Sequence, residues 1–242
     1  MRTAERPCDA ASGVRVWRRV TAAFTTLRLR CFEHAFEGSL RQFGFVRRHD
    51  WPEGGQHDFL AEGVWPDTAY GGNAIYDHGH HGNAILSRFP ILSSHNQDIS
   101  ELRFERRGML HTELAVPGWK EPLHCVCVHL GLTAAARRRQ MLALAERMEE
   151  VSPGETPLII AGDFNDWHNR AGNLIAERLG LVEVFGGLNG QPARSFPATL
   201  PMFRLDRIYV RGFEIERAEV HFGRPWSKIS DHAALSAYIG AK

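Results

Sequence analysis

Residues Pro157-Leu158-Ile159-Ile160-Ala161-Gly162-Asp163-Phe164-Asn165-Asp166 read as a strand that ends in polar side chains. Leu158 to Ala161 form a short apolar run bounded by Pro157 and Gly162, the pattern of a strand buried in a core. Asp163 and Asn165 follow at a spacing of two, which can aim both side chains into one cleft. A carboxylate there can orient or deprotonate a water, and a carboxamide can hold a metal-bound or phosphate oxygen. The same letters suit a capped turn, because Gly, Asp and Asn are common turn residues. What decides between the two is whether neighbouring strands also end in chemistry.

Working toward the N-terminus, Leu123–Leu130 is nearly all apolar, so it predicts a strand covered on both faces. It ends in His129. Between it and Pro157, Thr133–Val151 predicts a helix. Thr133 can serve as N-cap, and Met141, Leu144, Ala145, Met148 and Val151 form one apolar stripe. Gly108–Val116 predicts a strand closed by Pro117-Gly118, and Gly82–Ile91 a strand entering a turn at Pro90. Toward the C-terminus, a short helix over Asn173–Leu179 stops at Gly180. Strands follow at Leu205–Val210, Phe213–Val220 and Ala234–Tyr238. Strands with few helices and many irregular connections favour a mixed-sheet α/β sandwich over a doubly wound parallel sheet.

Two further strand ends carry polar groups. In Leu205-Asp206-Arg207-Ile208-Tyr209, Asp206 sits inside an apolar run, and a buried carboxylate needs a partner. An imidazole would serve, since a carboxylate fixes its tautomer and stabilises its cation; a salt bridge to a neighbouring Arg is the structural alternative. In Ile229-Ser230-Asp231-His232-Ala233, a carboxylate and an imidazole stand together before the last strand. They can supply a hard oxygen ligand and an acid or base, or merely a turn Asp beside a surface His. His129 alone would count as structural; it gains weight from the other three motifs.

Five motifs now stand in order: Gly82-Asn83-Ala84-Ile85-Leu86-Ser87-Arg88, Val128-His129-Leu130, Gly162-Asp163-Phe164-Asn165-Asp166, Leu205-Asp206-Arg207-Ile208-Tyr209 and Ser230-Asp231-His232. In this order the chain resembles the endonuclease/exonuclease/phosphatase superfamily, over about residues 51–240. That superfamily includes pancreatic deoxyribonuclease, abasic-site endonucleases, neutral sphingomyelinases and inositol polyphosphate 5-phosphatases. The resemblance implies an α/β four-layer sandwich, two mixed β-sheets face to face and flanked by helices. It implies a phosphoesterase, most simply a phosphodiesterase, using Mg²⁺ (or Mn²⁺). It implies His232 as the catalytic imidazole at the phosphate, Asp206 orienting it, and His129 as a second imidazole at the phosphate or leaving group. Asp163 and Asn165 would position the attacking water and assist the metal site, and Asp231 would be a metal ligand. Phosphoryl transfer independently calls for positive charge, a directed water and a proton for the leaving oxygen.

The likeness breaks at the start. The family carries an Asn ending its first strand and a metal-binding Glu in a Leu-Gln-Glu-like motif after its second, and residues 1–50 contain neither. Residues 1–48 hold ten Arg and no Lys against four acids, with poor apolar periodicity. Only Thr25–Phe32 alternates as a strand would, and Glu33, just after it, is the nearest stand-in, with Glu37 beyond. The chain therefore divides into an atypical segment, 1–48, and a family-like domain, 49–242. Either the first segment is not the ancestral one, through an altered reading frame or start, or the protein has diverged. In both cases Mg²⁺ affinity falls with the carboxylate count. An inactive member that binds a phosphate ligand is the alternative function.

The remaining features set limits. A formal charge of +1 gives no global basic field, so a phospholipid headgroup or small phosphodiester suits the chain as well as nucleic acid does. Arg137-Arg138-Arg139 reads as a solvated helix face or a phosphate contact. His78, His80 and His81 crowd a loop without a further ligand that would complete a transition-metal site. Cys125 and Cys127, two apart on one strand, read as buried reduced thiols and Cys8 and Cys31 add no zinc spacing, which with no secretory signal points to a cytoplasmic protein. No apolar run reaches 18 residues, so no membrane span is expected, and the chain is read as a monomer.

Overall fold

The computed structural model describes residues 19–22, 29–30, 61, 64–76, 79–168, 172–228 and 230–242. In chain order the elements begin with β1 (Arg19–Ala22), β2 (Leu29–Arg30), β3 (Asp67–Tyr76), β4 (Gly79–Ser87), β5 (Ile91–Asp98), β6 (Gly108–Leu114) and β7 (Leu123–His129). Helix α1 (Ala134–Val151), β8 (Leu158–Asp163), α2 (Gly172–Leu179), β9 (Val182–Glu183) and α3 (Val184–Asn189) follow. The chain closes with β10 (Asp206–Arg211), β11 (Phe213–His221), a 3₁₀ turn (Trp226–Lys228) and β12 (Ala234–Ala241).

Six strands form the central sheet in the order β5-β6-β7-β8-β10-β9. Only the β7–β8 pair is parallel among the described pairings. A parallel pair needs a crossover, and α1 is that crossover. Two three-stranded sheets, β1-β12-β11 and β2-β4-β3, make the facing layer. Ile85 from one and Leu235, Ala237 and Ile239 from the other pack with Leu110, Cys125, Cys127, Ile159, Ala161 and Ile208 of the central sheet. On the opposite face, Val126, Val128, Leu158 and Ile160 pack against Met141, Leu144 and Met148 of α1 and Ile175 and Leu179 of α2. The expected mixed α/β sandwich, sheets face to face with helices outside, is the fold of this chain. No described helix is long and apolar enough to cross a membrane.

β7 is buried on both faces, as its unbroken apolar run predicts. Cys125 and Cys127 are free thiols in the intersheet core, and burial pushes both up to about 12, so they stay protonated. The Thr133 side chain accepts a hydrogen bond from the Ala136 amide at 3.2 Å, capping α1. The arginine run is a solvated face in part: Arg138 and Arg139 are exposed, Arg139 pairing with Glu101 at 2.6 Å. Arg137 is buried and donates to the carbonyls of Gly131 and Leu132, because α1 starts against the loop that leaves β7.

In the N-terminal segment, β1 lies on the free edge of β12 and β2 on the edge of β4. β2 falls within the expected Thr25–Phe32 strand; β1 has no counterpart in the sequence reading. Glu33, Glu37, Cys8, Cys31 and His78 lie outside the described residues.

Candidate active site

The site follows from strand register. Across the central sheet, Gly108 of β6 faces His129 of β7, His129 faces Asp163 of β8, and Asp163 faces Asp206 of β10. The carboxyl ends of β7 and β8 and the amino end of β10 therefore place an imidazole and two carboxylates in one row. This row is fixed by backbone pairing before any side chain acts.

Gly162 makes the row possible. It has φ +146° and lies so close to β7 that a Cβ would meet the Val128 carbonyl oxygen at 2.0 Å. Just beyond, Asn165 adopts φ 49°, the left-handed region. Its amide donates to Asp163 Oδ1 at 2.9 Å, a turn that Asp and Asn close well. Its side-chain Nδ2 donates to the Leu130 carbonyl at 2.8 Å. The turn after β8 is thus tied to the exit of β7, and Asp163 and Asn165 are both buried.

His232 arrives from the other side, on the loop before β12. Asp206 Oδ2 and His232 Nδ1 lie 2.7 Å apart, both side chains buried. Asp206 thus has the imidazole partner that its burial demanded. The neighbouring Arg207 instead lies 3.8 Å from Asp166. His129 Nε2 stands 3.6 Å from Asp163 Oδ2 and is partly exposed. Ligand atoms of Asp163, Asp206 and His232 all fall within 4.8 Å of one another. Asp231 is half-buried beside His232 and is not one of that trio.

Ser195 holds this arrangement and carries no sequence signal, being one serine in a loop. Its Oγ accepts from the amides of Leu205 and Asp206 at 3.3 and 3.1 Å, and its carbonyl accepts from Ala233 at 2.6 Å. One residue therefore fixes both partners of the carboxylate–imidazole pair. Phe196, next in sequence, packs 5.0 Å from the His232 ring. Asn83 is buried and donates to the carbonyls of Gly108 and Cys127, tying β4 to the ends of β6 and β7. The side chain of His80 is not described, and His81 is half-buried.

Residues 36–232 match the profile of the Endonuclease/Exonuclease/phosphatase family. The chain belongs to that family. It is 45% identical over 190 residues to Uncharacterized protein YbhP of Escherichia coli K12, covering 78% of this chain and 75% of that protein. Among solved structures it is similar to a functionally unknown conserved protein of Enterococcus faecalis V583, with TM-score 0.62 and 17% identity over 77% of this chain and 81% of the other. It is also similar to the human Nocturnin catalytic domain with bound sulfate anion, with TM-score 0.60 and 14% identity over 73% and 72%. At such identities the structural likenesses speak for the fold. The endonuclease/exonuclease/phosphatase family supplies phosphoesterase- and nuclease-type hydrolases that depend on divalent metal and act on phosphoesters such as DNA.

The donor set suits such a metal. Asp163 and Asp206 are cross-strand neighbours with fully buried carboxylates. Two carboxylates so placed can both be ionised only with positive charge close by, from imidazolium or a bound cation. Carboxylate and carboxamide oxygens are ligands for a hard cation rather than a thiophilic one.

Proposed function

We propose that this chain is a Mg²⁺-dependent phosphodiesterase, Mn²⁺ being the natural substitute. The observation that carries the reading is the Asp206–His232 pair at 2.7 Å, set beside Asp163 and within one strand of His129. Asp206 holds Nδ1 of His232, which leaves Nε2 to face the phosphate. Asp163 and Asn165 hold the attacking water, and the carboxylate accepts its hydrogen bond. His129 faces the leaving oxygen. As the water oxygen bonds to phosphorus its proton passes to the Asp163 carboxylate, the ester P–O bond breaks, and the departing alkoxide takes a proton from the His129 imidazolium. Asp163, Asn165 and Asp231 would hold the metal, which when bound supplies charge neutralisation at the phosphoryl oxygens. The lone Asn and Glu that the first segment lacks make that metal weakly held.

A turnover assay with bis(p-nitrophenyl) phosphate tests this. Activity is expected with Mg²⁺, to disappear with EDTA, and to fall by about 10³-fold or more in His232→Ala. Activity that ignores EDTA, or an active His232→Ala, would end the proposal.

The missing Asn and Glu favour one second reading, a phosphate-ligand binding module. Calorimetry separates them: that reading requires phosphate binding with no Mg²⁺ uptake and no turnover. The two buried thiols support a reducing, cytoplasmic setting.

A further inference from the structure

Exposed apolar side chains are not spread evenly over this molecule. Thirteen large ones are exposed among the described residues, and nine of these sit on loops at the active-site end of the sheets. They form two lips. One includes Trp167, directly after β8, with Leu200, Met202 and Phe203 in the loop before β10 and Phe222 and Trp226 between β11 and β12. The other comprises Leu102 and Phe104 between β5 and β6, and Leu132 after β7. The catalytic row lies between them, since Asp98 and Gly108 flank the second lip and continue the register into His129, Asp163 and Asp206.

The first lip is a built structure. Phe196 and Phe203 pair backbone to backbone, closing a turn with Leu200 at its tip, 65% exposed. Trp167 packs edge-on to Phe203 at 5.1 Å, and Phe196 links this cluster to His232. Gly223 donates to the Ala198 carbonyl at 2.8 Å, which joins the Phe222–Trp226 loop to the same turn. Phe104, on the second lip, is 95% exposed. Such side chains facing water are costly unless another phase receives them.

Cations stand among them. Arg103, Arg194, Arg224 and Lys228 are all exposed on these loops. Apolar tips with aromatic shoulders and interspersed basic residues are the composition of a surface that settles into a lipid interface. A platform for stacked bases would instead be built from flat rings. Here Phe104 and Phe222 are exposed rings, but four aliphatic side chains that stack no base are exposed beside them, Leu200 at 65%, Leu132 at 55%, Met202 at 52% and Leu102 at 47%.

We propose that the two lips seat the protein on an anionic phospholipid surface, so that its substrate is a phosphodiester carried in a lipid headgroup. Leu200 and Phe104 enter the interface, the four cations meet anionic headgroups, and the gap between the lips brings a headgroup phosphate to His232. The substrate assignment rests on the phosphodiesterase reading above; the docking surface does not.

Flotation of the full chain with two vesicle types tests this, phosphatidylcholine alone and phosphatidylcholine with phosphatidylglycerol. Binding is expected with the anionic vesicles and to weaken with salt. Phe104→Glu with Leu200→Glu should lower it by at least roughly tenfold, as two apolar anchors become anions. The same double variant should turn over bis(p-nitrophenyl) phosphate at the wild-type rate and keep its circular dichroism spectrum. Failure to float with anionic vesicles, or equal flotation by the double variant, overturns the docking surface. Release from vesicles by a single-stranded oligonucleotide at stoichiometric concentration also overturns it, in favour of nucleic acid. Loss of soluble turnover in the wild-type with vesicle binding intact sinks the phosphodiesterase reading and leaves the surface standing.

Discussion

Asn165 sits in the left-handed region at φ 49°, a conformation that costs an L-residue about 1 kcal/mol. Its bonds to Asp163 and Leu130 hold it there. Asp206 is placed as tightly, by Ser195 at its amide and His232 at its carboxylate. Asp206→Asn keeps the shape of the side chain while removing the charge that stabilises an imidazolium. It should lower turnover by about 10²-fold or more with an unchanged circular dichroism spectrum. An unaltered rate would remove Asp206 from the site. At this scale the sequence was informative where a polar residue interrupted an apolar run, as Asp163, Asp206 and His129 do. Ser195 and Phe196 give no such contrast, because their importance comes from what two distant segments do around them.

Elements were legible to the extent that burial followed period. β7, β8 and α1 match their expected spans within a residue or two because their apolar patterns are unbroken. β5 is an edge strand with mostly exposed side chains, so its composition carries no strand signal. β3 contains Gly71-Gly72 and an irregular register between Gly72 and Ala74, which breaks its alternation. Buried arginines were also unreadable, since Arg is normally a surface residue. Arg211 of β10 donates to the carbonyls of Ser152 and Thr156, after α1, and of Leu179, ending α2. Both helices are thereby anchored to the central sheet by one guanidinium. Arg211→Met should destabilise the protein by about 2–3 kcal/mol, read as a lower urea midpoint at unchanged slope, because it strands buried carbonyls. A midpoint equal to wild-type would show that water serves them as well.

For the whole molecule, pH response is expected to come from under α1 rather than from the site alone. His111 of β6 and His124 of β7 are buried, with Nε2 and Nδ1 2.9 Å apart. Burial, then His124, Arg147 and His95, push His111 down to about 4; burial likewise lowers His124. The folded state thus binds fewer protons here than the unfolded chain does. Stability from this pair is complete above about pH 6.5 and is lost as pH falls through about 4. The loss should reach roughly 2–3 kcal/mol in urea titrations, and His111→Phe should flatten the slope. A wild-type midpoint constant from pH 7 to 4 would refute the assignment. Fold class was readable at this scale because several core strands agreed. β1 was not, because the arginine-rich text around it has no apolar period to follow.

The bond between Asp206 and His232 joins a strand of the central sheet to the loop entering a strand of the facing sheet. On the mechanism proposed above, a chain whose two halves have not docked holds its imidazole and its orienting carboxylate as separated fragments. Newly made or partly opened chains would then be inert toward phosphate esters, and closure of the sandwich would itself be the activation step.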